Sequence, residues 1–125
     1  MRRILIVDDE AGFTRMLKLN LETSGSFEVR DVNEGQQALE VAREFLPHII
    51  FLDIVMPDID GGDVAAQIRA DASLKRVPIV FLTAIVGEDE ARNSNAIGGY
   101  PFLAKPVSMQ RLLDTIDQYT LSSVV

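Results

Sequence analysis

Four short apolar runs in this sequence end on residues that a buried strand does not need. The run "HIIFLD" (48–53) closes on Asp53, and "ILIV" (4–7) passes straight into Asp8, Asp9 and Glu10. "VPIVFLTA" (77–84) ends around Thr83 and Ala84, and "YPFLAK" (100–105) ends on Lys105. If the strands run parallel, one reason serves all four places, because parallel strands direct their carboxyl ends to a single edge. Three aspartates, a hydroxyl and an ammonium then share one rim. Carboxylates gathered that closely repel one another and stay ionised only with positive charge between them. A set of oxygen ligands without His or Cys selects a hard divalent cation, and a few carboxylates with open positions suit Mg²⁺, which also binds phosphate oxygens. Lys105 offers a point charge and Thr83 a hydroxyl donor, both suited to the acceptor oxygens of a phosphoryl group. Asp53 is the candidate nucleophile, since a carboxylate attacking phosphorus gives an acyl phosphate.

The elements that must position these residues follow from hydrophobic period. Each apolar run is succeeded by an amphipathic stretch, giving five strand and helix units. Residues 12–25 place Phe13, Met16, Leu17 and Leu21 on one helical face. "FEVRDV" (27–32) alternates as a half-exposed strand, followed by a helix with Ala38, Leu39, Ala42, Phe45 and Leu46 in one stripe, Asn33 as its N-cap and Pro47 as its stop. The remaining helices are expected over 62–71, 87–98 and 108–120, the last capped by Ser108 and carrying Met109, Leu112, Leu113, Ile116 and Tyr119 on one face. Runs 49–52 and 79–82 are apolar on both faces and require helices on both sides of a parallel sheet. The fold class is therefore α/β, a doubly wound five-stranded parallel sheet. Its binding crevice lies at the carboxyl ends of the strands, where the strand order reverses.

Composition narrows the function from outside. At 125 residues, 47% apolar and 25% charged, the chain suits one globular domain. A net charge of −7 argues against direct binding of nucleic acid or of an acidic membrane surface, which need clustered Lys and Arg. No cysteine is present, so disulfides and thiolate metal sites are excluded. "MRRILIVDDE" has too short an apolar run for a signal peptide or a membrane span, and a cytoplasmic location is the default expectation.

Taken in order, "ILIVDDE", "IIFLDIVMPDIDG", "PIVFLTA" and "FLAKPV" resemble the receiver domain of bacterial response regulators, the CheY-like family, along the whole chain. The resemblance implies a flavodoxin-like (βα)5 fold with strand order 2-1-3-4-5. It implies a receiver over 1–121, with 122–125 a C-terminal tail or the start of a linker. Asp53 would be the phosphoacceptor of a two-component phosphorelay, served by Mg²⁺ (or Mn²⁺). Asp53 and Asp9 would ligate the metal directly, Asp8 through water, and Val55 through its backbone carbonyl. Thr83, Ala84 and Lys105 would bind phosphate, Phe102 would be the aromatic switch, and Lys105-Pro106 a cis peptide. The donor would be a sensor histidine kinase or a histidine phosphotransfer protein. The face formed by the fourth helix, fifth strand and fifth helix would address a downstream partner or output domain, from a monomer or a phosphorylation-dependent dimer. Such a module is not an enzyme in its own right, although it assists its own phosphorylation and dephosphorylation.

Several positions have simpler explanations or depart from the family pattern. Asp58, Asp60 and Asp63 are better explained by turn chemistry beside Gly61 and by helix capping than by ligation, and His48 lies at the opposite end of its strand from the chemistry. Phe102 stands where tyrosine is more common. Val55 and Ile85 are apolar where some relatives carry groups that orient water, which predicts a long-lived phosphate. Pro101 removes a backbone donor and Gly62 replaces a larger apolar residue. Residues 90–99, "EARNSNAIGG", hold few apolar anchors and several poor helix formers, so the most mobile helix is expected there. The basic residues on that side, Arg92, Lys105 and Arg111, are too few to support a charged dimer interface. A metal-dependent hydrolase would need a second acid at Val55, and a flavodoxin-like cofactor binder would not place "DDE" where its phosphate loop belongs.

Overall fold

The computed structural model describes residues 1–84 and 96–121, with the side chains of 96 and 97 outside that description. In chain order the elements are β1 (Arg2–Val7), α1 (Ala11–Thr23), β2 (Phe27–Val32), a 3-10 turn (Gly35–Gln37), α2 (Ala38–Phe45), β3 (Ile49–Asp53), α3 (Gly61–Ala70), β4 (Ile79–Thr83), β5 (Ala96–Ile97), β6 (Tyr100–Ala104) and a C-terminal helix (Met109–Thr120). Across the sheet they lie β2-β1-β3-β4-β6-β5. All pairings are parallel except β5 with β6, so the five parallel strands run 2-1-3-4-5 in chain order. The order reverses between β1 and β3, and the crevice opens there.

Period two along the strands divides the core. Leu5, Val7, Ile50, Leu52, Ile79 and Phe81 face α2 and α3, packing with Ala38, Ala42, Phe45, Val64 and Ile68. Ile4, Ile6, Ile49, Phe51, Val80 and Leu82 face the other way, against Leu17 and Leu21 of α1 and Leu112 and Ile116 of the C-terminal helix. Each of these side chains is almost wholly removed from water. Full burial of a large aliphatic side chain contributes about 1.5 to 3 kcal/mol, which fixes register. A slip of one residue would exchange the two faces of every strand.

Several local expectations are corrected. Met16 and Leu46 are exposed. The buried stripe of α1 is Thr14, Leu17 and Leu21, which leaves Met16 on the far side of the helix. Leu46 is the C-cap of α2 at φ 50°, in the left-handed region, which turns its side chain off the helix stripe. Asn33 does not cap α2, because a 3-10 turn precedes that helix and the Asn33 amide bonds elsewhere. Residues 96 and 97 are strand rather than helix: Gly98 and Gly99, at φ 57° and 89°, make the tight turn of a hairpin pairing Ile97 with Tyr100. The rest of the expected helix over 87–98 lies outside the described residues, as do Ile85, Arg92 and the tail at 122–125. Asp60 and Ser108 cap as their residue types lead one to expect, accepting from Gly62 N and Arg111 N.

Candidate functional site

Backbone pairing brings the strand ends level. Val7 stands opposite Leu52, Asp53 opposite Leu82, and Thr83 opposite Ala104, so Asp8, Asp53, Thr83 and Lys105 leave the sheet at nearly the same height. They meet around a pocket of about 270 Å³ lined by Asp9, Glu10, Asp53, Val55, Thr83, Ala84 and Lys105. Oxygen atoms of Asp8, Asp9 and Asp53 all lie within 4.8 Å of one another. Asp8 and Asp53 are buried and Asp9 is exposed, so the cluster opens to solvent on one side.

Lys105 closes the other side. Its Nζ lies 2.6 Å from Asp8 Oδ2, 3.4 Å from Glu10 Oε1 and 3.9 Å from Asp53 Oδ2, and it stands 4.7 Å from the centre of the Phe13 ring. One cation thus faces three carboxylates and a π face. Burial alone would lower the Lys105 pKa, but the hydrogen bond and charge of Asp8, followed by Asp53 and Glu10, hold it above its ordinary value. Asp53 moves the opposite way, pushed up to about 6 by burial first and by the Asp8 charge second, with Lys105 offsetting part of the effect. A carboxyl hydrogen bond with Asp9 raises it further, while the Val55 N–H, 3.4 Å from Asp53 Oδ1, lowers it.

The cluster fits a hard divalent cation. Its donors are all oxygen, they are close enough to share one ion, and the charge they lack is the charge such an ion carries. Asp58 and Asp60 serve the backbone instead, accepting from Gln36 N and Gly62 N. His48 is at the far end of β3, where its Nδ1 accepts from Arg3 N at 2.8 Å. The Lys105-Pro106 peptide is cis. Phe102 is half-buried and, with Arg111, Thr115 and Tyr119, lines a cavity of about 440 Å³ between β6 and the C-terminal helix.

Sequence reasoning missed three contributors. Phe13 reads as an ordinary helix-face aromatic, and nothing local signals the lysine 92 positions later that rests on it. Gly61 reads as a turn residue, yet a Cβ there would collide with the Asp53 carbonyl and lie 2.7 Å from Ile54 Cα. Asn33 donates to the Asp8 carbonyl at 2.8 Å, a contact that depends on β2 lying beside β1.

Comparison with known proteins agrees with this geometry. The family model described as "Response regulator receiver domain" matches residues 4–117. The response regulator PleD of Caulobacter vibrioides is 33% identical over 98% of the chain, which spans only 27% of PleD. The polar-differentiation response regulator DivK of Brucella anthropi is 29% identical, with 94% of this chain and 95% of DivK aligned. Among solved structures, the Vibrio cholerae chemotaxis protein CheY4 matches with a TM-score of 0.82 at 28% identity, covering 95% of this chain and 98% of CheY4. A response regulator structure from Chloroflexus aurantiacus gives 0.80 at 30% identity, covering 96% and 98%. Among the described residues no helix is long and apolar enough to cross a membrane. The chain belongs to the response regulator receiver domains, the phosphoacceptor signalling modules of two-component systems.

Proposed function

We propose that this receiver accepts a phosphoryl group on Asp53 from the phosphohistidine of a sensor kinase or of a phosphotransfer protein. The observation that carries this reading is the meeting of Asp8, Asp9 and Asp53 within 4.8 Å, with Lys105 Nζ 3.9 Å from the Asp53 carboxylate. Asp9 and Asp53 would hold Mg²⁺ (or Mn²⁺) directly, Asp8 through water, and Val55 by its backbone carbonyl. When bound, the cation offsets repulsion between carboxylate and incoming phosphoryl oxygens. An Asp53 oxygen forms the new O–P bond as the P–N bond of the donor breaks. A donor imidazole protonated on its second nitrogen then leaves neutral. Buried beside Asp8, Asp53 is kept an ionised nucleophile at neutral pH with the help of Lys105, and the cation would offset the repulsion that remains.

The product adds about −1.5 to −2 charges and three strong acceptors at the pocket. Thr83, buried at the end of β4, and the neighbouring Ala84 N–H are the groups on that side, with Lys105 opposite. Drawing Thr83 toward the phosphoryl group would free space for Phe102, which shares its core cluster with Phe81 and Tyr100. Movement of that ring changes the surface between β6 and the C-terminal helix, the face offered to a downstream protein or output domain. The receiver unit on this reading runs over 1–121.

Incubation with Mg²⁺ and a small acyl phosphate, followed by intact-protein mass measurement, tests the reading. One phosphoryl adduct is expected, absent from the Asp53→Asn variant. No adduct on the natural chain, or one that persists in Asp53→Asn, overturns it.

A further inference from the structure

We propose that Asn33, held in turn by Thr14, is the positioning residue of the cation site: its amide fixes the peptide joining Asp8 to Asp9 and so sets where both carboxylates point. This rests on reading the acidic cluster as a divalent-cation site. Asp8 is tied at every polar group. Its N–H donates to Val32 O at 3.0 Å, its Oδ1 accepts from Glu10 N at 2.9 Å, and its Oδ2 accepts from Lys105. The remaining group, the carbonyl, accepts from Asn33 Nδ2 at 2.8 Å.

That carbonyl lies in the same rigid plane as the N–H of Asp9. Anchoring it therefore orients the bond from which Asp9 departs. The Asp9 side chain is exposed, with a carboxylate oxygen within 4.8 Å of those of Asp8 and Asp53, with which it would share the cation. Backbone direction, rather than packing, decides where its oxygens go.

The donor order is forced. A peptide carbonyl only accepts, so the Asn33 group facing Asp8 must be its NH₂. The same nitrogen donates to Thr14 Oγ1 at 2.9 Å, leaving Thr14 to donate its own hydrogen to Asp31 Oδ2 or to Ala11 O, each 3.1 Å away. Asn33 thus commits both amide hydrogens, one to Asp8 and one to Thr14, whose own hydroxyl bond fixes it in turn. Thr14 is fully buried, which keeps water from substituting for it. Removing groups that hold a ligand in this manner costs about 10 to 100-fold in metal affinity.

The test measures Mg²⁺ affinity by calorimetric titration for the natural chain and for Asn33→Leu, Thr14→Val and Thr14→Ser. Phosphorylation by a small acyl phosphate is followed in parallel as Mg²⁺ is varied. Asn33→Leu and Thr14→Val are expected to weaken Mg²⁺ about tenfold. They should raise the Mg²⁺ concentration for half-maximal phosphorylation by the same factor and leave the rate at saturating Mg²⁺ nearly unchanged. Thr14→Ser, which keeps the hydroxyl, should restore affinity. A merely structural role would lower the unfolding temperature without moving either Mg²⁺ value, and that result overturns the proposal, as does a Thr14→Ser protein as weak as Thr14→Val. A natural chain that binds Mg²⁺ but takes no phosphoryl group defeats the phosphoacceptor reading, while the affinity differences still decide this one. A natural chain that binds no Mg²⁺ overturns both.

Discussion

Val55 shows how much one side chain at the pocket mouth can decide. It is 60% exposed and lines the cavity beside Asp53, where an isopropyl group can neither orient a water nor take its proton. Val55→Asn is therefore expected to hasten loss of the phosphoryl adduct by about tenfold, less than the roughly 10²- to 10⁴-fold of a full general base because an amide orients water without taking its proton. Adduct mass followed over time checks this, and equal lifetimes would refute it. Gly61 acts through space it leaves empty. The nearest atoms to a Cβ there are backbone of Asp53 and Ile54, which cannot rotate away as a flexible side chain would. Gly61→Ala should cost about 1 to 3 kcal/mol in urea denaturation, the usual range for overpacking. Gly62→Ala meets only Asp60 Oδ1, at 3.1 Å, and should cost less.

At the level of elements, much was legible because period and burial agree. The runs 49–52 and 79–82 are apolar on both faces, and both became central strands with every residue buried. That one fact implies helices on two sides, parallel strands and a shared edge for Asp8, Asp53, Thr83 and Lys105. Where a residue's partner belongs to another element, sequence could not say so. Asn33 has the composition of a cap but serves Asp8, and Leu46 fits a helix stripe but terminates it. Asp71 is a third case, since it ends α3 yet ties that end to α2 through Arg43 Nε at 2.6 Å. Bonds from Ser73 first, then from Arg43, hold its carboxyl down at about 2, below an ordinary value of 3.8. A depressed folded pKa stabilises above the unfolded pKa and fades as pH falls through the folded one. The natural chain should lose this contribution between pH 3.8 and about 2. Asp71→Asn should be less stable at neutral pH and flatter across that window in denaturation series, and an unchanged profile would count against the link.

Across the whole molecule, the net charge of −7 is least well accommodated at the site itself. Two aspartates are buried side by side there, and Lys105 is shared between them, so the fold holds a repulsion that a divalent cation would relieve. Asp53 reports that strain through its proton. Its folded pKa of about 6 exceeds 3.8, so between those values the folded chain binds more protons than the unfolded one, and stability must fall as pH rises through the window. At about 1.4 kcal/mol per unit the shift sets a ceiling near 3 kcal/mol, which solvent reaching the pocket reduces to about 1 to 2. In chelator at neutral pH, Asp53→Asn should therefore be more stable than the natural chain by about 1 to 2 kcal/mol, and by little at pH 3.8, where Asp53 is protonated in the fold. Saturating Mg²⁺ should reverse the order, since binding stabilises only the protein that keeps its ligands, by about 2.7 kcal/mol at a hundred times Kd. The Asp71 and Asp53 windows adjoin without overlapping, so the two variants can be read separately in one pH series. Equal stabilities of Asp53→Asn and the natural chain in chelator, or a gain that survives saturating Mg²⁺, would show that the acidic edge is not a strained cation site.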